Sequence, residues 1–588
     1  MMWARAEKPR QTALNRLLKN PTQCLDRLSM SGSPPRSCCT FPFTLSLSKG
    51  AIPLFQQPLR STILLCAVFC SLCWSLSACT SSSGDGEAPL QYLRLAGPDE
   101  VPTLDPARGY DTSSWQFEQM LFNTLVGYDA ETNLVPELAT DWEVSSDHRT
   151  YTFHLRREVR FTNGRAVVAA DVKYSIERVL NPQTRSQGAE FFRIIRGAET
   201  CTETQCSVAG IETPDANTVR FQLRNFDPLF LHKLTMPFAA AVPSEEVARW
   251  GEDFARHPVG SGPFMLRQWV SGRYLLLMRN PDYFVRGLPR LAGVQRLVGV
   301  NDELAWLKYE SGQLDISNIP PAEFPRVIRE LQYQPLLHHM TTMTTNYLGM
   351  NCQMPPFTDR RVRQALNYAV NKDKLLRLIN NRGVVARSFL PPNMPGYQPD
   401  IRGYPFDPQR ARQLLAGAGY ATGFDTTLWV RSDETTLRMA ESVQQDLADV
   451  SVRTQIKALA WGPFLEAVRA PDLVPFFFLG WEADFPDPSN FLEVLLHSKN
   501  IGSNNNTTYR NPQVDALLDE AAHTVDAQRR LQLLQQVERI AVADAPWVFL
   551  FHPVTYEIVL PRAQGFQLHP LRPPRLDTVW VEDEPANR

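Results

Sequence analysis

Two short runs alternate apolar and polar residues: "YTFHLR" at 151–156 and "VRFQLR" at 219–224. That period of two predicts half-buried strands. Other segments switch to the helical period. "DVKYSIERVLNP" places Val172, Ile176, Val179 and Leu180 on one face and stops at Asn181-Pro182. In "FTDRRVRQALNYAVNKDKLLRLI", Thr358 can cap a helix whose stripe is Val362, Ala365, Leu366, Ala369 and Val370. "NPQVDALLDEA" offers Asn511 as N-cap and Pro512 at the first helical position. A further helix, "DAQRRLQLLQQVERIAVADAP", must end before Pro546. "PWVFLFHPVTYEIVL" then reads as one or two buried strands. Short strands mixed with amphipathic helices, and 46 prolines, predict a loop-rich α/β protein rather than a bundle.

The front of the chain follows another pattern. Arg60 precedes an apolar run from Ile63 to Leu76. That run is short of the roughly 20 residues that span a bilayer and has the size of a signal-peptide core. "LSAC", Leu76 to Cys79, resembles a bacterial lipobox. The resemblance implies cleavage before Cys79, lipid on its thiol, and a flexible tether over 79–90. Residues 1–78 are therefore read as leader, and 1–59, long for an export signal, as an over-called start with Met30 one alternative.

At 588 residues the chain can form two or more lobes. Residues 1–60 carry nine basic and two acidic residues, whereas 51 basic face 60 acidic residues from Cys79 onward. The body shows no basic stripe, which argues against a nucleic-acid partner. Six of the ten cysteines lie in the leader; Cys70 and Cys73 are spaced C-x-x-C but sit in its apolar run. "CTETQC" sets Cys201 and Cys206 five apart in a polar loop, where an exported protein would close a disulfide. Cys352 reads as a small apolar filler.

Enzyme signatures are missing: there is no H-E-x-x-H, no Walker A loop and no G-x-S-x-G. "VGSGPF" at 259–264 lacks the third glycine of a dinucleotide loop and reads as a tight turn, with Gly260 and Gly262 supplying unusual backbone angles. His338-His339 has no partner at metal-ligand spacing. These readings imply neither catalysis, metal nor cofactor.

The block at 102–182, "PTLDPARGYDTSSWQFEQM…YSIERVLNP", resembles the N-terminal signature of family 5 extracellular solute-binding proteins, the peptide-binding components of ABC importers. "HPVGSGPFMLRQWVSGRYLLLMRNPDYF" (257–284), "RVRQALNYAVNKDKLL" (361–376) and "GWEADFPDPSNFLEVLLHSKNIGSNNNTTYRNPQVDALLDEA" (480–521) follow in family order. The resemblance implies the two-lobed periplasmic-binding-protein fold of the large peptide-binding subtype. Lobe I would take 91–343, lobe II 344–548, and 549–588 would return to lobe I. The two crossings would be "TTNYLGMN" (344–351) and "FLFHPV" (549–554).

It also implies site residues. Asp484, three after Trp481, matches the carboxylate that holds a peptide α-ammonium, and Trp481 would form an apolar wall. Arg431 roughly matches a segment that supplies an arginine for the ligand carboxylate. Asn504 and Asn505 fall in a stretch that forms pocket wall. Glu482 is expected to face solvent, and Asp487 to act structurally as an N-cap before Pro488. Phe485 stands where dipeptide binders carry a polar residue. The implied function is a monomeric, lipid-anchored extracytoplasmic protein that delivers peptides to an ABC permease. Relatives that bind nickel chelates, haem or sugars, and a sensor or chaperone on the same fold, are the alternatives.

Overall fold

A computed structural model describes residues 92–582. The leader, Cys79 and the tether lie outside them. Among the described residues no helix is long and apolar enough to cross a membrane.

The chain forms a two-lobed α/β fold built on several sheets. The first strand, Tyr92–Gly97, pairs in parallel with Gly293–Val298, which continues into an antiparallel ladder with Tyr274–Arg279 and Phe264–Val270. A second four-stranded sheet holds both alternating runs. Thr150–Leu155 buries Tyr151, Phe153 and Leu155 and lies antiparallel to Thr218–Gln222, with Tyr151 opposite Phe221 and Phe153 opposite Val219. The helix Ala169–Leu180 packs there through Val172, Ile176, Val179 and Leu180. Asp171 anchors its first turn by accepting from the Val168 amide at 2.9 Å, while gripped by Arg165.

The largest sheet has eight strands. The 13-residue strand Trp547–Val559 runs through it. Its first half lies beside Thr344–Met350, with Tyr347 opposite Phe549 and Asn346 opposite Phe551. Its second half lies beside Leu337–Thr341 and Ile316–Asn318. The expected crossing segments are thus neighbouring strands. The run "WVFLF" is apolar without alternation because both its faces are covered, as in an interior strand. Trp547 stacks on Tyr347 with centroids 3.5 Å apart, and His552 is buried beside Thr345 with Nδ1 and Oγ1 3.1 Å apart.

Several local expectations change. Asp359, not Thr358, caps the helix Arg360–Ala369, because its carboxylate accepts from the Arg361 amide at 2.8 Å. The helix stops at Val370, and a second, Lys372–Leu378, starts from Asn371. Gly260 and Gly262 are not in the left-handed region. They are required because a Cβ at either position would collide with the backbone of Met120–Leu121. Asn511 caps Pro512–His523 as expected, and Trp547–Val559 is a single strand. Cys201 and Cys206 are joined as a disulfide with Cα atoms 4.1 Å apart. Cys352 is buried, and burial pushes its thiol up to about 11, so it has little nucleophilic character at neutral pH.

Candidate functional site

The strand Phe476–Glu482 lies antiparallel to Thr344–Met350, with Trp481 opposite Thr345 and Glu482 opposite Thr344. Ala483 extends the pairing one step by donating its amide to Met343 O at 2.9 Å. Two prolines then turn the chain away before the helix Ser489–Leu496. Asp484 stands at this break, where a side chain can leave the sheet and enter a cleft.

Asn490, one residue into that helix and 1% exposed, ties the break together. Its Oδ1 accepts from the Trp481 indole N–H and from the Asp484 amide, both at 3.1 Å. Its Nδ2 donates to Asp484 Oδ2, also at 3.1 Å. One amide side chain therefore orients both the indole and the carboxylate. From the far side, Tyr110 donates its hydroxyl to Asp484 Oδ1 at 3.1 Å. Tyr110 is held by ring contacts with Trp115, Phe191 and Phe238 at 5.6, 6.3 and 5.4 Å. Burial pushes the Asp484 carboxyl up, and the hydrogen bonds from Asn490 and Tyr110 offset part of that rise. Each carboxylate oxygen accepts one bond, which leaves lone pairs for a ligand donor.

Asp484 and Tyr110 line two cavities. One, of about 380 Å³, also presents Glu482, Glu557 and Arg572. The other, of about 720 Å³, is bounded by Trp481, Phe485, Asn490 and Asn504. Glu482 is solvent-accessible as expected, yet it lines the smaller cavity; burial and then the charge of Asp484 push its carboxyl up. Burial raises the Glu557 carboxyl to about 7. Phe485 is buried and stacks on His232 at 6.2 Å. Its apolar side chain thus has a packing role in the cleft wall.

The structure separates the remaining candidates. Asn504 is half-buried on the larger cavity. Asn505 is fully buried and spent on its own loop. Its Nδ2 faces the carbonyls of Leu496, His497 and Tyr509, and its Oδ1 accepts from the Tyr509 amide and the Thr507 hydroxyl. No polar atom is left for a ligand. Arg431 is half-exposed at the end of Phe424–Arg431, bound to Asp433 at 3.0 Å, and lines neither cavity. Asp487 is structural: besides the bond from the Ser489 amide that an N-cap makes, it holds an ion pair that the sequence did not suggest. It pairs with Arg530 at 2.7 and 2.8 Å while accepting from the Ser489 amide and hydroxyl. Burial pushes its carboxyl up, and the bonds and charge of Arg530 outweigh that and hold it below the usual range.

Tyr110, Asn490, Glu557 and Arg572 were not singled out from the sequence. Asn490 lies inside the "DPSNF" run and could have been read as a polar residue facing back on the turn. Glu557 and Arg572 carry no local signal, since only the fold brings their segments to the wall of the cavity that Asp484 lines.

Residues 133–503 match the family model of bacterial extracellular solute-binding proteins, family 5. The chain belongs to that family. It is 31% identical over 485 residues to haem-binding protein A of Haemophilus influenzae, covering 78% of this chain and 86% of that protein. It is 30% identical over 499 residues to the dipeptide-binding protein of Escherichia coli, covering 80% and 90%. Among solved structures it resembles the ABC transporter-associated periplasmic binding protein DppA of Helicobacter pylori in complex with peptide STSA. There the TM-score is 0.70 at 27% identity, over 84% of this chain and 98% of that one. This family 5 protein is an extracellular solute-binding protein and not an enzyme.

Proposed function

We propose that this family 5 protein captures short peptides by their α-ammonium at Asp484 and hands them to an ABC permease. The observation that carries this reading is the Asp484 carboxylate itself. It is oriented by Asn490, touched from the opposite wall by Tyr110, and retains acceptor capacity toward a cavity of about 380 Å³. An ammonium that leaves water needs a charged, directional acceptor, and this carboxylate provides one. The names of the dipeptide-binding relative and of the peptide-bound structure agree with it.

Capture would proceed by closure of lobe I (91–343 with 549–588) on lobe II (344–548) about the paired strands at 344–350 and 547–559. The hydrophobic clusters support that division. One draws largely on residues between Leu348 and Phe551, whereas another combines Leu93 to Ile316 with Val559 to Val581. Lipid on Cys79 would hold the protein at the membrane beside its permease; Cys79→Ser should release it from the lipid-labelled pool.

The haem-binding relative gives a second reading. Mass spectrometry of small molecules released on denaturing the purified protein separates the two. Peptides with free N-termini support capture by ammonium. Haem, a metal chelate or a sugar as the released molecule overturns it.

A further inference from the structure

The 380 Å³ cavity that Asp484 lines holds two further carboxyls, Glu482 and Glu557, and the ammonium reading uses neither. Glu557 comes from the second half of Trp547–Val559, where it lies opposite His338 on one neighbouring strand and Asn318 on the other. Thr555, two residues earlier, lies opposite Met340. Side chains two apart share one face of a strand, and Thr555, Glu557 and Met340 all line the cavity. That face of the sheet is therefore one wall. Glu482 ends Phe476–Glu482 opposite Thr344 and reaches the same space from another strand pair.

The Glu557 carboxyl is buried and, among the described residues, has neither a hydrogen-bond donor nor a counter-charge; burial alone raises it to about 7. Its cross-strand neighbour His338 does not compensate it. Burial lowers the His338 pKa, which leaves the ring neutral at pH 7, and the ring packs edge-on to Phe566 at 5.3 Å. Glu482 also lacks a donor among the described residues, and burial and then the Asp484 charge push its carboxyl up. Arg572 touches the cavity wall, but its guanidinium is committed elsewhere. Its Nη2 donates to Thr235 O and Oγ1 at 2.6 and 2.5 Å, and it lies over the Tyr128 ring at 4.8 Å. Thr235 and Tyr128 line a separate small cavity with Glu118 and Glu137. A single ligand ammonium compensates one of the three carboxyls. Closure strips water from the other two, and a desolvated carboxylate without a counter-charge is costly.

Resting on the reading of Asp484 as ammonium anchor, we infer that Glu557, with Glu482 on the same cavity, binds a second cationic group of the ligand. The solute is then a short peptide with a basic side chain, its α-ammonium on Asp484 and its side-chain cation on Glu557. A volume of about 380 Å³ equals roughly a dozen waters at about 30 Å³ each, room for a few residues and not for a long chain. A bound cation favours the charged form of Glu557 and takes charge-assisted hydrogen bonds that a neutral side chain of similar length cannot make.

The test uses the full chain and tripeptides that carry either lysine or norleucine, which lacks the terminal ammonium, at the first, second or third position. Each is made with a free and with an acetylated N-terminus, and titration calorimetry gives the dissociation constants at pH 8 and pH 6. At one position or more, lysine should bind about 10- to 150-fold tighter than norleucine at pH 8, the range for a hydrogen bond to a charged group. The ratio cancels the Asp484 contribution, which both peptides share. It should shrink at pH 6, where the Glu557 carboxyl must lose a proton before it can pair with the cation. Glu557→Gln should bring the ratio close to one at both pH values while N-acetylated forms are still rejected. Glu557→Asp should keep part of the ratio, and it serves if the glutamine variant does not fold. Equal binding of lysine and norleucine at every position by the wild type, with N-acetylated forms still rejected, overturns the second-cation inference and leaves Asp484 in place. A lysine preference unchanged in Glu557→Gln also overturns it. Binding of no free peptide overturns both.

Discussion

The Tyr110 hydroxyl donates to Asp484 Oδ1 at 3.1 Å, joining residues 374 positions apart across the cleft. The same carboxylate takes its second bond from Asn490, six positions along its own segment. One local and one distant donor therefore fix a carboxylate whose remaining lone pairs are open to a ligand. The predictions below separate that role from ordinary structural roles of acidic residues.

Asn490→Leu should weaken ligand binding without abolishing it. The substitution removes the donor to Asp484 Oδ2 and the acceptor for the Trp481 indole together. Hydrogen bonds to charged groups are worth about 1.5–3 kcal/mol, so affinity should fall by roughly one to two decades. Titration calorimetry gives the affinity. Trp481 fluorescence should shift at the same time, because the indole N–H loses its partner. Unchanged affinity with a shifted emission would restrict Asn490 to fold maintenance.

Affinity for ammonium ligands should rise with pH. Burial raises the Asp484 carboxyl in the free protein, and a bound ammonium favours its charged form. Binding therefore releases a proton when the pH is below that raised pKa. Affinity should drop about tenfold for each unit that the pH falls further, the slope of a single linked proton. Glu557, at about 7, adds a shallower change nearer neutrality. Glu557→Gln should remove the neutral limb and keep the acid one. The measurement is the dissociation constant between pH 4 and 8, and a flat profile would count against a charged anchor.

Asp487→Asn should behave in the opposite way, with lower stability and near-normal affinity. It strands Arg530, whose side chain is 11% exposed and pairs with Asp487 at 2.7 Å. Breaking a buried pair from one side costs about 3–5 kcal/mol. The Asp487 carboxyl is held below the usual range by Arg530, so its contribution is present above the ordinary carboxylate pKa. It is lost as pH falls through the depressed folded value. Denaturant melts of wild type and variant at pH 7 and at acid pH should converge at the acid end.

The contrast between these neighbouring aspartates shows how far the sequence could be read. Period-two alternation found Tyr151–Leu155, and helical stripes found Ala169–Leu180 and Pro512–His523, because burial on one face writes itself into local order. The family resemblance placed Asp484 and Trp481 by local motif. Local order does not report what the fold brings together from afar. Arg530 lies 43 residues from Asp487, and Tyr110 reaches Asp484 only through tertiary structure. Arg431 shows a related limit: the sequence offers an arginine near a strand end, and only the structure shows Asp433, two residues on, holding it away from the two cavities around Asp484. Gly260 and Gly262 suggested unusual backbone angles, whereas the actual constraint is an approaching backbone that no local pattern records.

The most direct test of ammonium capture is calorimetry with one free peptide and its N-acetylated form, on wild type and on Asp484→Asn. The variant keeps size and shape and removes the charge, so its thermal stability should stay close to wild type. Loss of one member of a buried pair, about 3–5 kcal/mol, corresponds to roughly two to three and a half decades in affinity. The free peptide should lose that much on Asp484→Asn, and acetylation should impose a similar loss on wild type. The two losses should not add, since both delete the same pair. A variant with near-wild-type affinity, or a wild type indifferent to acetylation, would contradict the account.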